Sequence, residues 1–177
     1  LAEAARDRGA NVVLVTAASG LAEPAMVKVV PVGSAQEMCD AVLEHVKSAD
    51  ALIMAAAVAD YRPSSQAEQK IKKSEDDLTI ALTKTTDILQ AARGSFVRVG
   101  FSAESQDLVE NAKAKVKSKD LDLIVANDIT DPDSGFGRDT NRVVLIDGDL
   151  QVEELPVLSK YEVSNRILDR VRAMLQG

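Results

Sequence analysis

Three lysines in four residues, Lys70-Ile71-Lys72-Lys73, form the densest group of chemically capable side chains in this sequence. They lie in a polar stretch, so two readings stand: a solvated charge run, or a flap that closes over anionic oxygens and brings one ammonium to developing negative charge. Upstream, Ala55-Ala56-Ala57 are followed by Asp60. Small side chains let a ligand approach the backbone. A carboxylate just beyond them can bind a cation, accept from a hydroxyl, or only cap the next turn. Downstream, Lys84 ends a short apolar run and Thr86-Asp87 is placed to cap the following helix, whose first N–H groups are open to an acceptor atom.

A second group of cations sits on one helix. At about 100° per residue, Leu108, Val109, Ala112, Lys115, Val116 and Lys119 share an arc of about 120° within the expected helix Gln106–Lys119. Glu110, Lys113 and Lys117 fall on the opposite face. Lys115 and Lys119 are therefore on the inner side, near the helix end. Snorkelling places their stems on the sheet and their heads in water; a head at a cleft mouth can also meet phosphate. Asn127-Asp128 closes the apolar run LIVANDI, at a ligand-facing strand end or in an ordinary turn. Cys39 and His45 are six apart on a helix and point about 120° away from each other, so they are no metal pair. Cys39 is expected in the core and His45 on the surface. There is no Gly-x-Gly-x-x-Gly or Walker-type loop, and no catalytic triad can be drawn around the single histidine. No metal-ligand set is identified.

Composition narrows the partners. The 177 residues carry a net charge of −7, which argues against a general nucleic-acid binder. Any bound anion must be held by a local positive cluster, and Lys70 with Lys115 and Lys119 would supply one. No apolar run reaches the roughly 18 residues of a membrane helix. The lone cysteine excludes an internal disulfide and fits a reducing cytoplasm.

Strands and helices must alternate to position these groups. Asn11–Ala18, Val27–Val32, Ala51–Val58, Phe96–Ala103 and Leu121–Ile129 read as strands, the first buried on both sides, and Leu78–Thr83 as an edge strand. Ser34 opens a helix to about Lys47, with Glu37 completing a capping box; Asp87–Arg93 is a short helix. Asp131–Thr140 is a polar loop. Arg142–Ile146 and Val152–Leu158 are late strands joined through Asp147-Gly148, and Lys160–Leu175 is helical. The expected fold is a single α/β domain with a Rossmann-like, mostly parallel sheet between helices and a late antiparallel extension. The sequence opens within an amphipathic helix that Gly9 ends, as in the second half of a βαβ unit, so the first strand and its phosphate-binding turn are expected to be missing.

These same segments resemble a known family. AAAVADYRP (Ala55–Pro63) followed by KIKK (Lys70–Lys73) resembles the signature of bacterial phosphopantothenate–cysteine ligase. KTTDIL (Lys84–Leu89), VGFSAE (Val99–Glu104), the lysine helix, LDLIVANDI (Leu121–Ile129) and GFGRDTNRVVLI (Gly135–Ile146) follow in the family's order. Departures are the family's upstream glycine-rich Ser-Ser-Gly loop, absent here, and Thr86, where the family usually has proline. The resemblance implies that 4′-phosphopantothenate attacks the α-phosphate of CTP to form an acyl-cytidylate, and that cysteine then displaces CMP; Mg²⁺ is the expected ion. It further implies that Lys70 stabilises the reacting centre and contacts substrate. Lys115 and Lys119 would hold phosphates, and Met54, Ala55, Ala56, Thr86, Asp87, Ile88, Leu89 and Phe101 would line the nucleotide pocket. Asp60 would lie at its edge, with Ala56 and Asn127 towards the substrate. A homodimer with the late strands facing the partner, and fusion to or association with a flavin-dependent decarboxylase, are also implied. The alternatives are an NAD(P)-binding Rossmann oxidoreductase, although neither tyrosine has a lysine four residues on, and a non-catalytic nucleotide-binding domain.

Overall fold

The computed structural model describes residues 1–18, 20–65, 67, 69–72, 77–128 and 138–177. Lys73, Ile129 and loop residues 131–137 of the reading above lie outside them. Helix α1 (Ala2–Asp7) leads to strand β1 (Val13–Thr16); Gly9 between them has φ 86°, the left-handed conformation that ends a helix without a Cβ penalty. Strand β2 (Lys28–Pro31) pairs with β1 in parallel, and α2 (Ala35–His45) leads on to β3 (Ala51–Met54). Ser34 caps α2 by accepting from the Glu37 N–H at 3.2 Å, and the Glu37 carboxylate accepts from the Gly33 N–H at 2.7 Å. The carboxylate thus reaches one residue further back than a capping box requires.

Next come β4 (Tyr61–Pro63), β5 (Leu82–Lys84), the single-turn helix α3 (Ile88–Ala91), β6 (Val97–Glu104), α4 (Leu108–Lys119) and β7 (Leu123–Asp128). The chain finishes through β8 (Thr140–Asn141), β9 (Val143–Asp147), β10 (Val152–Glu154), β11 (Leu158–Ser159) and α5 (Lys160–Gln176). Ser159 and Glu162 form a full capping box at the start of α5.

The central sheet has the order β10-β9-β7-β6-β3, with β3, β6 and β7 parallel and β9 and β10 antiparallel. This is the expected mostly parallel sheet with a late antiparallel extension. Residues Leu123, Ile124, Val125 and Ala126 are fully buried because helices cover both faces. Val163, Ile167 and Val171 of α5 pack on one face, and Ala112 and Val116 of α4 on the other. Each fully buried aliphatic side chain contributes about 1.5–3 kcal/mol.

Several expectations need correction. Strand β1 is only half-buried, with Val13 exposed, because it pairs with β2 alone; β1 and β3 each keep one edge without a strand partner among the described residues. Strand β3 stops at Met54 rather than Val58, and residues 55–57 are exposed beyond it. Of the expected edge strand at 78–83, only Leu82 and Thr83 pair, in β5, and with β4 rather than the central sheet. Leu78, Ile80 and Leu82 are all exposed, since that two-stranded ribbon has no packed face to receive them. The run at 142–146 is not an outer edge: β9 runs between β7 and β10 with Val143, Leu145 and Ile146 buried, while Arg142 before it is exposed.

Candidate functional site

Strand register fixes what gathers at the carboxyl edge of the parallel strands. Met54 lies beside Gly100, which lies beside Ile124; one step on, Phe101 pairs with Val125, and then Ala103 with Asn127. Met54, Ala55, Ala56, Phe101 and Asn127 therefore meet at the edge where open α/β sheets bind ligands. Side-chain alternation divides them between two faces. Met54 faces α4 together with the row Arg98, Gly100, Ser102 and Glu104 of β6, whereas Phe101 packs with the cluster against α5. Asn127, partly buried, continues the α5-facing row of β7.

The turn at residues 86–89 is held against the exit of β3. The Thr85 N–H donates to the Asp60 carbonyl at 2.9 Å, and the Thr85 hydroxyl donates to the Ala59 carbonyl at 2.5 Å. Asp87 caps α3 by accepting from the Gln90 N–H at 3.2 Å, while Ile88 and Leu89 are buried and Thr86 is exposed. Leu89 and Leu121 both close over Gly100: a Cβ there would clash with Leu121 Cδ1 at 2.7 Å and touch Leu89 Cδ1 at 3.4 Å. The exposed Asp60 carboxylate makes no hydrogen bond or ion pair with another described residue, so it caps nothing among them. A polar recess opens beside the turn, lined by Arg62, Lys84, Thr85 and Thr86 and the start of α2.

Helix α4 presents its lysines as its periodicity requires. Ala112 and Val116 are buried, and Lys115 and Lys119 flank them with heads partly in water. Lys115 Nζ lies 2.5 Å from Glu104 Oε1 at the end of β6, and Lys119 Nζ lies 3.0 Å from Asp87 Oδ2. Lys119 thus borders the turn at 86–89, while Lys115 sits beside the carboxyl end of β6, each next to a carboxylate. Lys70 is exposed on its own segment, and no hydrogen bond or ion pair joins it to the turn or to α4 among the described residues. Cys39 is buried and His45 partly buried, and no group of three potential metal ligands gathers among the described residues.

Three contributors escaped the reading of the sequence. Thr85 joins two segments 26 residues apart, a role that its residue type and position beside Thr86 do not signal. Glu104 pairs with Lys115 across the β6–α4 loop. Arg98 is a cation in an otherwise apolar strand, with its side chain buried. It donates through Nη2 to the Leu89 carbonyl and through Nη1 to the Asp120 carbonyl, the latter at 2.6 Å. Its own N–H donates to Asp122 Oδ2 at 2.7 Å. Burial lowers the Arg98 pKa, and nearby Arg93 adds to this, while Asp120, Asp122 and Asp87 act in the opposite direction. A guanidinium stays charged through such a shift.

A mostly parallel sheet covered on both faces by helices, with Lys115 beside the carboxyl end of β6, defines the class as a Rossmann-like α/β domain. The chain belongs to the family described as the DNA/pantothenate metabolism flavoprotein C-terminal domain, which it matches over residues 1–175. It is 40% identical over 178 residues to the coenzyme A biosynthesis bifunctional protein CoaBC of Bacillus subtilis (strain 168), an alignment that takes in 98% of this chain and 44% of that protein. It is 36% identical over 180 residues to a cysteine/cysteine sulfinic acid decarboxylase from an unknown prokaryotic organism, covering 99% of this chain and 50% of that one. The chain thus spans about half the length of these relatives. The crystal structure of the C-terminal domain of a coenzyme A biosynthesis bifunctional protein CoaBC superposes with a TM-score of 0.82 at 36% identity, over 99% of this chain and 80% of that one.

Proposed function

We propose that this chain is a phosphopantothenate–cysteine ligase domain of coenzyme A biosynthesis, using CTP as co-substrate. The observation that carries the reading is the pair of α4 lysines, Lys119 ion-paired to Asp87 of the 86–89 turn and Lys115 to Glu104 at the carboxyl end of β6. Backbone groups of residues 54–56 and of the turn receive the nucleotide, and Lys115 and Lys119 exchange their carboxylate partners for phosphate oxygens. The substrate carboxylate attacks the α-phosphorus, the bond to the bridging oxygen breaks, and pyrophosphate leaves with its electron pair. Lys70, on an exposed segment, reaches the charge that develops on the leaving oxygens. The amine of cysteine then attacks the acyl carbon, giving 4′-phosphopantothenoylcysteine and CMP. Asn127 and Ala56 lie on the substrate side and Phe101 at the pocket rim.

A magnesium ion fits these residues, because such ions need only one or two protein carboxylates beside the phosphates. Asp60 is exposed next to the turn and would hold it; the ion would neutralise charge on the pyrophosphate.

The chain is proposed to act in the cytoplasm and as a homodimer. No helix among the described residues is long and apolar enough to cross a membrane. The dimer reading is supported by the apolar residues Ile71, Leu78, Ile80 and Leu82, exposed on the β4–β5 ribbon and beside it, rather than by β9, which is buried. Sedimentation velocity on Leu82→Arg checks this: a shift from dimer to monomer is expected, and an unchanged dimer places the interface elsewhere. A flavin-dependent decarboxylase is the proposed fused or associated partner.

The reaction itself is tested by incubating the chain with CTP, Mg²⁺, 4′-phosphopantothenate and cysteine and following products by mass spectrometry. Equal yields of CMP and 4′-phosphopantothenoylcysteine are expected, with the acyl-cytidylate seen when cysteine is omitted. Ligation that proceeds without a nucleotide would overturn the reading.

A further inference from the structure

The buried guanidinium of Arg98 has no part in the chemistry described above, yet it joins the two elements that carry the site. Helix α3 is a single turn, so its last carbonyls have no helical partners; the same is true at the end of α4. Arg98 reaches both: Nη2 donates to Leu89 O of α3, and Nη1 to Asp120 O at the C-cap of α4, placing a cation where both helix dipoles are negative. At the other end of α3, the capping residue Asp87 is ion-paired to Lys119 of α4 at 3.0 Å. Helix α3 is therefore tied to the last turn of α4 at both ends, and Arg98 is the buried tie.

We infer that Arg98 is a positioning residue for the nucleotide turn, setting residues 86–89 at a fixed height against the lysines of α4. It touches no substrate; it acts through Leu89 and Asp120. The inference rests on the nucleotide-ligase reading of that turn. A lysine at this position keeps the charge but has one nitrogen, which cannot span the two carbonyls as a guanidinium fork does.

The test is calorimetric titration of CTP with Mg²⁺ into the unsubstituted chain, Arg98→Lys and Arg98→Met, well below each protein's thermal midpoint and with the folded fraction checked by circular dichroism. Arg98→Met is expected to raise the CTP Kd about tenfold or more, and Arg98→Lys by a smaller factor. Amide hydrogen exchange at residues 86–92 should accelerate in both. Should Arg98→Met fail to fold, Arg98→Lys decides alone. A variant whose midpoint falls while its CTP Kd and its exchange at 86–92 stay unchanged shows Arg98 to be structural only and overturns the inference, leaving the ligase reading intact. If the unsubstituted chain does not bind CTP, the nucleotide reading of the turn fails, and the inference with it.

Discussion

Lysine is a residue whose worth depends on where its ammonium can reach, and this chain uses it in two settings. Lys70 stands exposed on a polar segment, so removing its head should leave packing untouched: Lys70→Ala is expected to abolish ligation with a stability change within about 0.5 kcal/mol. Wild-type turnover in that variant would contradict the role. Lys115 is different, because its partner Glu104 is mostly buried. Lys115→Ala is expected to raise the CTP Kd about tenfold and to cost about 1 kcal/mol or less, the exposure of the lysine keeping the second figure small. An unchanged Kd would make the pair an ordinary surface contact. The inward arc of α4 was legible from its 3.6-residue period, and so was the position of both lysines. Their partners Glu104 and Asp87 were not, since each lies on another element and only folding brings it within reach.

At the scale of elements, the strands were legible wherever an apolar run was long and buried, as at β6 and β7. The pattern misled where burial was lacking. Leu78, Ile80 and Leu82 alternate like an edge strand, but alternation states only which side chains share a face, not whether anything packs on it. Gly100 shows the converse: nothing in the sequence marked it, yet Leu89 and Leu121 close over its missing side chain. Gly100→Ala is expected to cost about 1–2 kcal/mol by chemical denaturation, because the tip of Leu121 must shift, and to weaken CTP binding through Leu89, which touches the same spot. Retained affinity would separate the turn from the strand beneath it. The capping box of α5, formed by Ser159 and Glu162, has a simpler consequence: Ser159→Ala should lower stability by about 1 kcal/mol with CTP affinity unchanged.

At the scale of the whole molecule, the first and last helices are docked by ionisable groups. Tyr161 Oη donates to Asp7 Oδ2 at 2.8 Å, and Arg8 Nη2 lies 2.6 Å from Asp169 Oδ1. The hydrogen bond from Tyr161, and next that from Arg6, hold the Asp7 carboxyl below its usual pKa; the hydroxyl and N–H of Ser159 do the same for Glu162. Both groups bind protons more weakly in the folded state. Their contribution is therefore fully present above their unfolded pKa values and is lost as pH falls through the folded ones. The thermal midpoint should fall as pH is lowered from about 5 to about 3, and Asp7→Asn should flatten that fall; an identical profile in the variant would remove Asp7 from the account. These tertiary pairs, separated by more than 150 residues, had no signature in the sequence, whereas the α/β architecture did. The central claim, that the sheet's carboxyl edge is a site for CTP rather than a dinucleotide, is tested most directly by titrating CTP with Mg²⁺ and, separately, NADPH into the chain by calorimetry. Saturable CTP binding that Lys115→Ala weakens, with no heat from NADPH, is the expected result. Saturable NADPH binding with no response to CTP would contradict it.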